Sequence, residues 1–166
     1  MFRNLRRFLV FQVFLLWQGG FVFYAAVVVP IGTDVLGSAR IQGLITQQVT
    51  DGLNLCGAMW AVVVFADWWA TRDPNRRRTQ IRGTTWFLIV LLLAVLTGLH
   101  PLLDGHIDDE TGAVHERDRF RFLHGVYLSV STAQWALAVV LAWFTLRAWA
   151  EEDRLTVPAT APPPTA

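Results

Sequence analysis

The sequence predicts an all-α integral membrane protein in which four helices form a bundle across the membrane. Hydrophobic residues make up 54% of the 166 residues and charged residues only 16%, which is more apolar than most soluble domains. A window of about 20 residues, the length of helix that crosses the hydrocarbon core, finds four apolar segments. They cover roughly residues 8–30, 52–70, 84–103 and 123–149. We therefore predict a single four-span transmembrane domain at residues 1–150, followed by a tail at residues 151–166.

The first apolar segment follows three arginines, as the apolar part of a signal peptide does. Its apolar run is much longer than the run of about 7 to 15 residues in a signal peptide. It also lacks a clean small-residue cleavage site. We therefore expect this segment to be retained as the first spanning helix.

The segment between the first and second spans is too polar to cross a bilayer alone. Its apolar residues recur at helical spacing, at Ile41, Leu44, Ile45 and Val49. This spacing predicts a short amphipathic helix at the membrane surface. Because no proline interrupts residues 31–73, the helix can run almost directly into the second span, with a bend at Gly52.

Arginines gather on one side of the predicted bundle. They precede the first span, fill the loop between the second and third spans and follow the fourth span. Basic residues near the ends of spans are retained in the cytoplasm. We therefore predict a plasma (inner) membrane protein of bacterial type with both termini cytoplasmic, and a disordered cytoplasmic tail because residues 151–166 have little apolar surface. The arginines are Arg3, Arg6, Arg7, Arg72, Arg76, Arg77, Arg78, Arg82, Arg147 and Arg154.

Two polar stripes are predicted on the third and fourth spans, at the end away from the arginines. A polar group inside a span must find a partner in the bundle or a wet cavity. Residues three and four apart share one face of a helix. The stripe on the third span is Thr97, His100 and Asp104, and the stripe on the fourth is His124, Tyr127, Ser131 and Gln134. Pro101 directly follows His100, and we expect the third helix to kink or end there.

The two stripes leave three functions open. In the first, the protein is non-enzymatic and the stripes form a packed polar site, for example with Asp104 hydrogen-bonded to His124. In the second, His100 and His124 bind haem, or these two and Asp104 bind a transition metal, in a copper-handling or redox protein. In the third, the site belongs to a small-solute or proton pathway.

Other features of the sequence limit partners and chemistry. The formal net charge is only +1, so we predict no nucleic-acid partner and expect the lipid bilayer as the main environment. No catalytic residue is predicted, because the hydroxyls lack a nearby base with an orienting acid. Small residues such as Ala94 and Gly98 allow a homo-oligomer as readily as internal packing. Asp67 is expected to form a salt bridge at the membrane interface with Arg72 or Arg147.

Three stretches of the chain resemble the four-helix transmembrane protein 205-like family, a bacterial membrane domain of unknown function. They are "LWQGGFVFYAAVVVP", "LGSARIQGLITQQVTDGLN" and "RFRFLHGVYLSVS", and the resemblance covers most of residues 12–140. His124 matches a histidine of that family, whereas Ser131 stands where the family often carries asparagine. More distantly, the chain is similar to copper-resistance D-type proteins and haem-binding porphyrinogen oxidases. That similarity implies a role for helix histidines, here His100 and His124.

Overall fold

The computed structural model describes residues 2–108 and 113–156, and it confirms the all-α four-helix bundle. The described residues form five α-helices, one π-helical turn and no strand. Four segments, Phe2–Leu36, Ala39–Ala70, Arg76–Asp104 and Arg117–Thr156, are long and apolar enough to cross a membrane. The helices are α1 (Phe2–Phe23), α2 (Val29–Leu36), α3 (Ala39–Ala70), α4 (Arg76–Asp104) and α5 (Arg117–Thr156), with the π-helical turn at Tyr24–Val28.

The first span is longer than predicted because its helix passes through Pro30. Proline lacks an N–H group and its ring crowds the carbonyl four residues earlier, here that of Ala26. The π-helical turn at Tyr24–Val28 contains that carbonyl, and such wider turns accommodate a break in the regular hydrogen-bond ladder. The chain therefore continues as α2 to Leu36 instead of ending at the proline.

The predicted amphipathic segment is the first part of α3, so it is continuous with the second span. Gly37 ends α2 in the left-handed conformation with φ of 62°, which favours glycine. Ser38 then begins α3, and its hydroxyl accepts a hydrogen bond from the N–H of Ile41 at 3.4 Å. The helix runs without interruption from Ala39 to Ala70, including Gly52, where a bend was expected.

The ends of α4 and α5 also differ from the sequence-based boundaries. Pro101 lies inside α4, which ends three residues later at Asp104. Helix α5 extends to Thr156, so the first six residues of the predicted disordered tail are helical. The reason is an ionic contact, described below, between this end of α5 and α1. The remainder of the predicted tail, residues 157–166, lies outside the described residues.

The four spans divide into two halves with different interiors. Helix α3 packs against α1 and α4, and α5 packs along α4. We call the half that contains Arg6, Arg82 and Glu152 the arginine half, and the half that contains His100 and His124 the histidine half. The larger apolar core lies toward the arginine half and consists of Val10, Trp17, Trp60, Val64, Ile89, Ala138, Leu141 and Trp149. The core of the histidine half is smaller, with Leu96, Leu103 and Tyr127 buried.

The tryptophans close the larger core tightly. The rings of Trp17 and Trp60 lie with centroids 5.4 Å apart. Trp17 fits because Gly57 faces it: a Cβ atom at that glycine would lie 3.0 Å from the indole. The indole N–H of Trp86 donates to the carbonyl of Ala61 at 2.9 Å, which joins α4 to α3. The middle of the bundle is therefore filled by aromatic side chains.

Candidate functional site

A cavity of about 570 Å³ occupies the histidine half of the bundle. All four spans contribute to its wall, together with α2 and the loop that precedes α5. Most of the wall is apolar, and a limited set of polar side chains converges on it, as is typical of small-molecule sites. The polar side chains include Gln18, Tyr24, Gln42, Thr46, Asn54, His100, Asp104, His124, Tyr127, Ser131 and Gln134.

His100 lies among carboxylates at the end of this cavity away from the aromatic core. Its Nδ1 atom is 3.0 Å from a carboxylate oxygen of Asp104, one turn later on α4, and 3.4 Å from Asp51 of α3. The histidine is buried, whereas both carboxylates are partly or largely exposed. This arrangement orients the imidazole and leaves Nε2 as the ring nitrogen that neither carboxylate contacts.

Thr97, the remaining residue of the stripe predicted on α4, does not line this cavity. The hydroxyl of Thr97 donates to the carbonyl of Leu93 at 2.9 Å. Thr97 and His100 border a second, smaller groove of about 350 Å³ between α3 and α4, which Asp51 and Asn54 also line. His100 thus lies between two spaces, and Thr97 contributes only to the smaller one.

The stripe predicted on α5 lines the main cavity along its full length. The amide Nδ2 of Asn54 donates to the hydroxyl of Tyr127 at 3.1 Å, which links α3 to α5. The side-chain amide of Gln134 donates to the carbonyl of Ile89 on α4 at 3.3 Å. Ser131 is buried between them, with only 6% of its surface exposed. Hydrogen bonds across the bundle therefore hold part of this stripe in place.

His124 does not form the expected contact with Asp104. Its ring stacks on Phe120, with centroids 5.7 Å apart and planes 13° apart. Asp104 pairs instead with His100 on its own helix. Across residues 2–108 and 113–156, no group of three or more His, Cys, Asp or Glu side chains is placed to hold a metal ion. Of the three predicted metal ligands, the structure thus brings His100 and Asp104 into contact.

The deep end of the cavity contains Gln18, which the sequence, like Gln12 and Asn54, left open between hydrogen bonding to another helix and lining a polar cavity. Gln18 is only 7% exposed, and neither its Nε2 nor its Oε1 has a hydrogen-bond partner among the described residues. The indole N–H of Trp135, on the facing helix α5, is also without a partner there. In the sequence, Gln18 is indistinguishable from Gln12, which faces away from the bundle. Only the packing of α1 separates them.

The arginine half is closed by a buried ionic network centred on Asp67. Its carboxylate is fully buried and lies 2.8 Å from Nε of Arg6 and 2.9 Å from Nη2 of Arg82, and Arg82 is itself only 1% exposed. The indole N–H of Trp149 donates to the same carboxylate at 3.0 Å. The predicted partners of Asp67, Arg72 and Arg147, were therefore wrong, because Arg6 of α1 and Arg82 of α4 occupy its carboxylate instead.

The same network joins the start of α1 to the end of α5. Arg6 and Arg7 of α1 lie 3.0 and 2.8 Å from the carboxylate of Glu152 on α5, and Arg7 lies 2.8 Å from Asp153. The guanidinium of Arg7 also packs over the ring of Trp149, 5.4 Å from its centroid. These contacts explain why α5 remains helical beyond residue 150. They also hold α1 against α5 at the arginine end of the bundle.

The loop between α3 and α4 carries a separate ion pair. Asp73 lies 2.6 Å from Nε of Arg78, and its side chain is almost completely covered. Burial alone would raise the pKa of Asp73, but hydrogen bonds from Arg78 and from the N–H of Asn75 outweigh it and hold the pKa below its usual value. The loop is thus fixed at the start of α4, where Asn75 also caps the helix.

Comparisons with known proteins found no match: no family model, no curated protein and no solved structure is similar to this chain at a significant level. The function must therefore be argued from the geometry of the bundle itself.

Proposed function

We propose that this chain is a non-enzymatic, multi-pass membrane protein that binds a small amphipathic molecule in the cavity of its histidine half. The observation that carries the proposal is the cavity of about 570 Å³, whose wall surface is mostly apolar and on which polar side chains from all four spans converge. A site of this kind holds a molecule that is largely apolar and has one or two hydrogen-bonding groups.

The closed arginine half favours a binding site over a pathway for a solute or protons across the membrane. Trp17 and Trp60 fill the middle of the bundle, and the network around Asp67 fills the end. A solute or proton pathway would need polar groups or water along the whole length of the bundle. A cavity that ends at the aromatic core fits a binding site that opens toward one side of the membrane.

The distribution of arginines supports the orientation of that site. We propose a plasma membrane location with both termini in the cytoplasm, so that the cavity opens toward the outer surface. A membrane-impermeant thiol reagent added to intact cells tests this orientation with Glu116→Cys in a Cys56→Ser background. Labelling from outside is expected, and labelling only after the cells are opened would reverse the orientation.

Analysis of co-purified small molecules tests the binding function. Ser131→Trp fills the cavity from α5, and Ser129→Trp places the same side chain on the outer face of the same helix. An organic extract of the wild-type protein and of Ser129→Trp should contain one compound at near-stoichiometric amount, which mass spectrometry can identify. Ser131→Trp should lack it. Absence of any such compound from the wild-type extract, or its equal recovery from Ser131→Trp, would contradict the proposal.

Haem binding is a second candidate because both predicted axial ligands, His100 and His124, line the same cavity. A metal ion held by these two residues and Asp104 stays a prediction, with Asp104 paired to His100 and the ring of His124 stacked on Phe120. An optical spectrum of the purified protein, beside His100→Ala and His124→Ala, tests the haem candidate. A Soret band lost in both variants would support it, and a colourless protein after expression with haem precursor would eliminate it.

A further inference from the structure

The polar groups at the deep end of the cavity indicate which chemical group the bound molecule presents there. Gln18 follows Trp17, a member of the larger apolar core, so its amide lies where the cavity meets that core. A glutamine amide offers two donor hydrogens and an acceptor oxygen. None of these is used by another group in the described part of the chain, although the side chain is more than nine-tenths buried.

Such a group is unfavourable in an empty apolar cavity. A buried polar group without a hydrogen bond loses its interactions with water and gains nothing in return. The indole N–H of Trp135, which lines the same cavity from α5, adds a second donor that no group in the described part of the chain uses. Two side chains from different helices therefore present a donor and acceptor pair and one further donor to the same enclosed space.

The His, Asp and Arg side chains that line the cavity are Arg40, His100, Asp104 and His124. They lie near the ends of α3, α4 and α5 that are farthest from the aromatic core. At the deep end, the described lining residues near Gln18 and Trp135 are neutral, and include Trp17, Ser131 and Gln134. A charged group placed there would have no counter-ion in an apolar surrounding, which is costly in a membrane protein.

We infer that the molecule bound in this cavity enters with an uncharged hydrogen-bonding head group, of the carboxamide, carbonyl or hydroxyl type, and that Gln18 and Trp135 bind this head group. Its apolar body then lies along Phe21, Leu53 and Leu96. This inference rests on the proposed binding function and adds the chemical class of the ligand and the direction in which it lies.

Three unbranched probes with eight carbon atoms each and different head groups test the inference. Octanamide is neutral, octanoate is negative and octylammonium is positive at pH 7. Binding is measured by equilibrium dialysis of the radiolabelled probes against the full-length protein in lipid nanodiscs, with empty nanodiscs subtracted. We expect saturable binding of octanamide at least about tenfold tighter than that of either charged probe, because each lost hydrogen bond or unpaired charge weakens binding by a factor of that order.

Two substitutions with matched controls assign the binding to the deep end. Gln18→Leu removes the amide at nearly constant volume, and Gln12→Leu makes the same change on the outer face of the same helix. Trp135→Phe removes the indole N–H but keeps an aromatic ring, and Trp143→Phe is its control on the outer face of α5. We expect Gln18→Leu and Trp135→Phe each to weaken octanamide binding by about three- to tenfold, and we expect both controls to bind octanamide as the wild type does.

The melting temperature separates a binding role of Gln18 from a structural one. Without a probe, Gln18→Leu should melt at the same temperature as the wild type or higher, because it removes unpartnered buried groups. A lower melting temperature with unchanged octanamide affinity would make Gln18 structural and would overturn the inference.

The remaining outcomes distinguish the inference from the proposed function. If the three probes bind equally well and Ser131→Trp abolishes their binding, the inference of a neutral head group is overturned and the proposed binding function remains. Absence of saturable binding of every probe to the wild-type protein would overturn both.

Discussion

Removal of the Asp67 carboxylate should destabilise the bundle more than removal of its partner Arg82. The two side chains are 0% and 1% exposed and lie 2.9 Å apart. Within the described ranges, Asp67 is the one carboxylate within ion-pair distance of Arg82. Asp67→Leu therefore leaves a buried guanidinium without an anion. In Arg82→Met, by contrast, Asp67 keeps Arg6 at 2.8 Å and the indole of Trp149 at 3.0 Å.

The expected magnitudes follow from these contacts. Breaking a buried ion pair so that one charge remains unpaired costs about 3 to 5 kcal/mol, which we expect for Asp67→Leu. Arg82→Met removes one charge-assisted hydrogen bond from a carboxylate that is still neutralised, so we expect about 1 to 3 kcal/mol. The double variant should be more stable than Asp67→Leu alone, because it no longer contains the unpaired guanidinium.

Unfolding in mixed dodecyl maltoside and SDS micelles measures these free energies. The native Cys56 is the single cysteine of the chain and packs against the larger core, so its reactivity with a thiol dye reports unfolding without an added label. Arg121→Met is the control, because the side chain of Arg121 is 79% exposed and lies 3.9 Å from its partner Asp118. This variant should unfold with the same free energy as the wild type. A greater loss in Arg82→Met than in Asp67→Leu, or a double variant less stable than both, would refute this account of the network.

Two further substitutions test the aromatic core and the loop before α4. Gly57→Ala should lower the free energy of unfolding by about 1 to 3 kcal/mol, because its Cβ would lie 3.0 Å from the indole of Trp17. Its control is Gly52→Ala, whose Cβ would meet open space, and this variant should be as stable as the wild type or more stable. Equal melting temperatures for the two variants would contradict the close contact. The lowered pKa of Asp73 contributes stability at pH values above the ordinary carboxyl value, and this contribution is lost as the pH falls through the lower pKa of the folded protein. Asp73→Asn should therefore reduce the difference in melting temperature between pH 6 and pH 3, and an unchanged difference would exclude the contribution.

The positions of the spans could be predicted because they depend on local composition. Each apolar run is long enough to cross a membrane, and the structure places a helix over each of them. Helix ends depended on distant residues instead. The end of α5 is held by Arg6 and Arg7, which lie about 145 residues earlier in the chain. No pattern near residue 150 indicates that contact.

The candidate site was partly predictable for the same reason. Helical spacing correctly grouped Tyr127, Ser131 and Gln134 on one face, since that grouping depends on a single helix. Contacts between helices were not predictable: Asp104 pairs with His100 instead of His124. The buried face of α1 was also hidden, because Gln12 and Gln18 are the only polar residues between Arg7 and Gly19 in the sequence and nothing there marks which of them faces inward.

Cysteine accessibility along α5 tests the central claim, that a cavity open at the histidine end stops at a closed core. Ser131→Cys, Gln134→Cys and Ala138→Cys, each in a Cys56→Ser background, are treated with a membrane-impermeant methanethiosulfonate reagent from one side of the membrane at a time. We predict labelling at positions 131 and 134 from the histidine side only, and none at 138, where Ala138 is completely buried in the larger core. Labelling at position 138, or labelling at 131 from the arginine side, would contradict the claim.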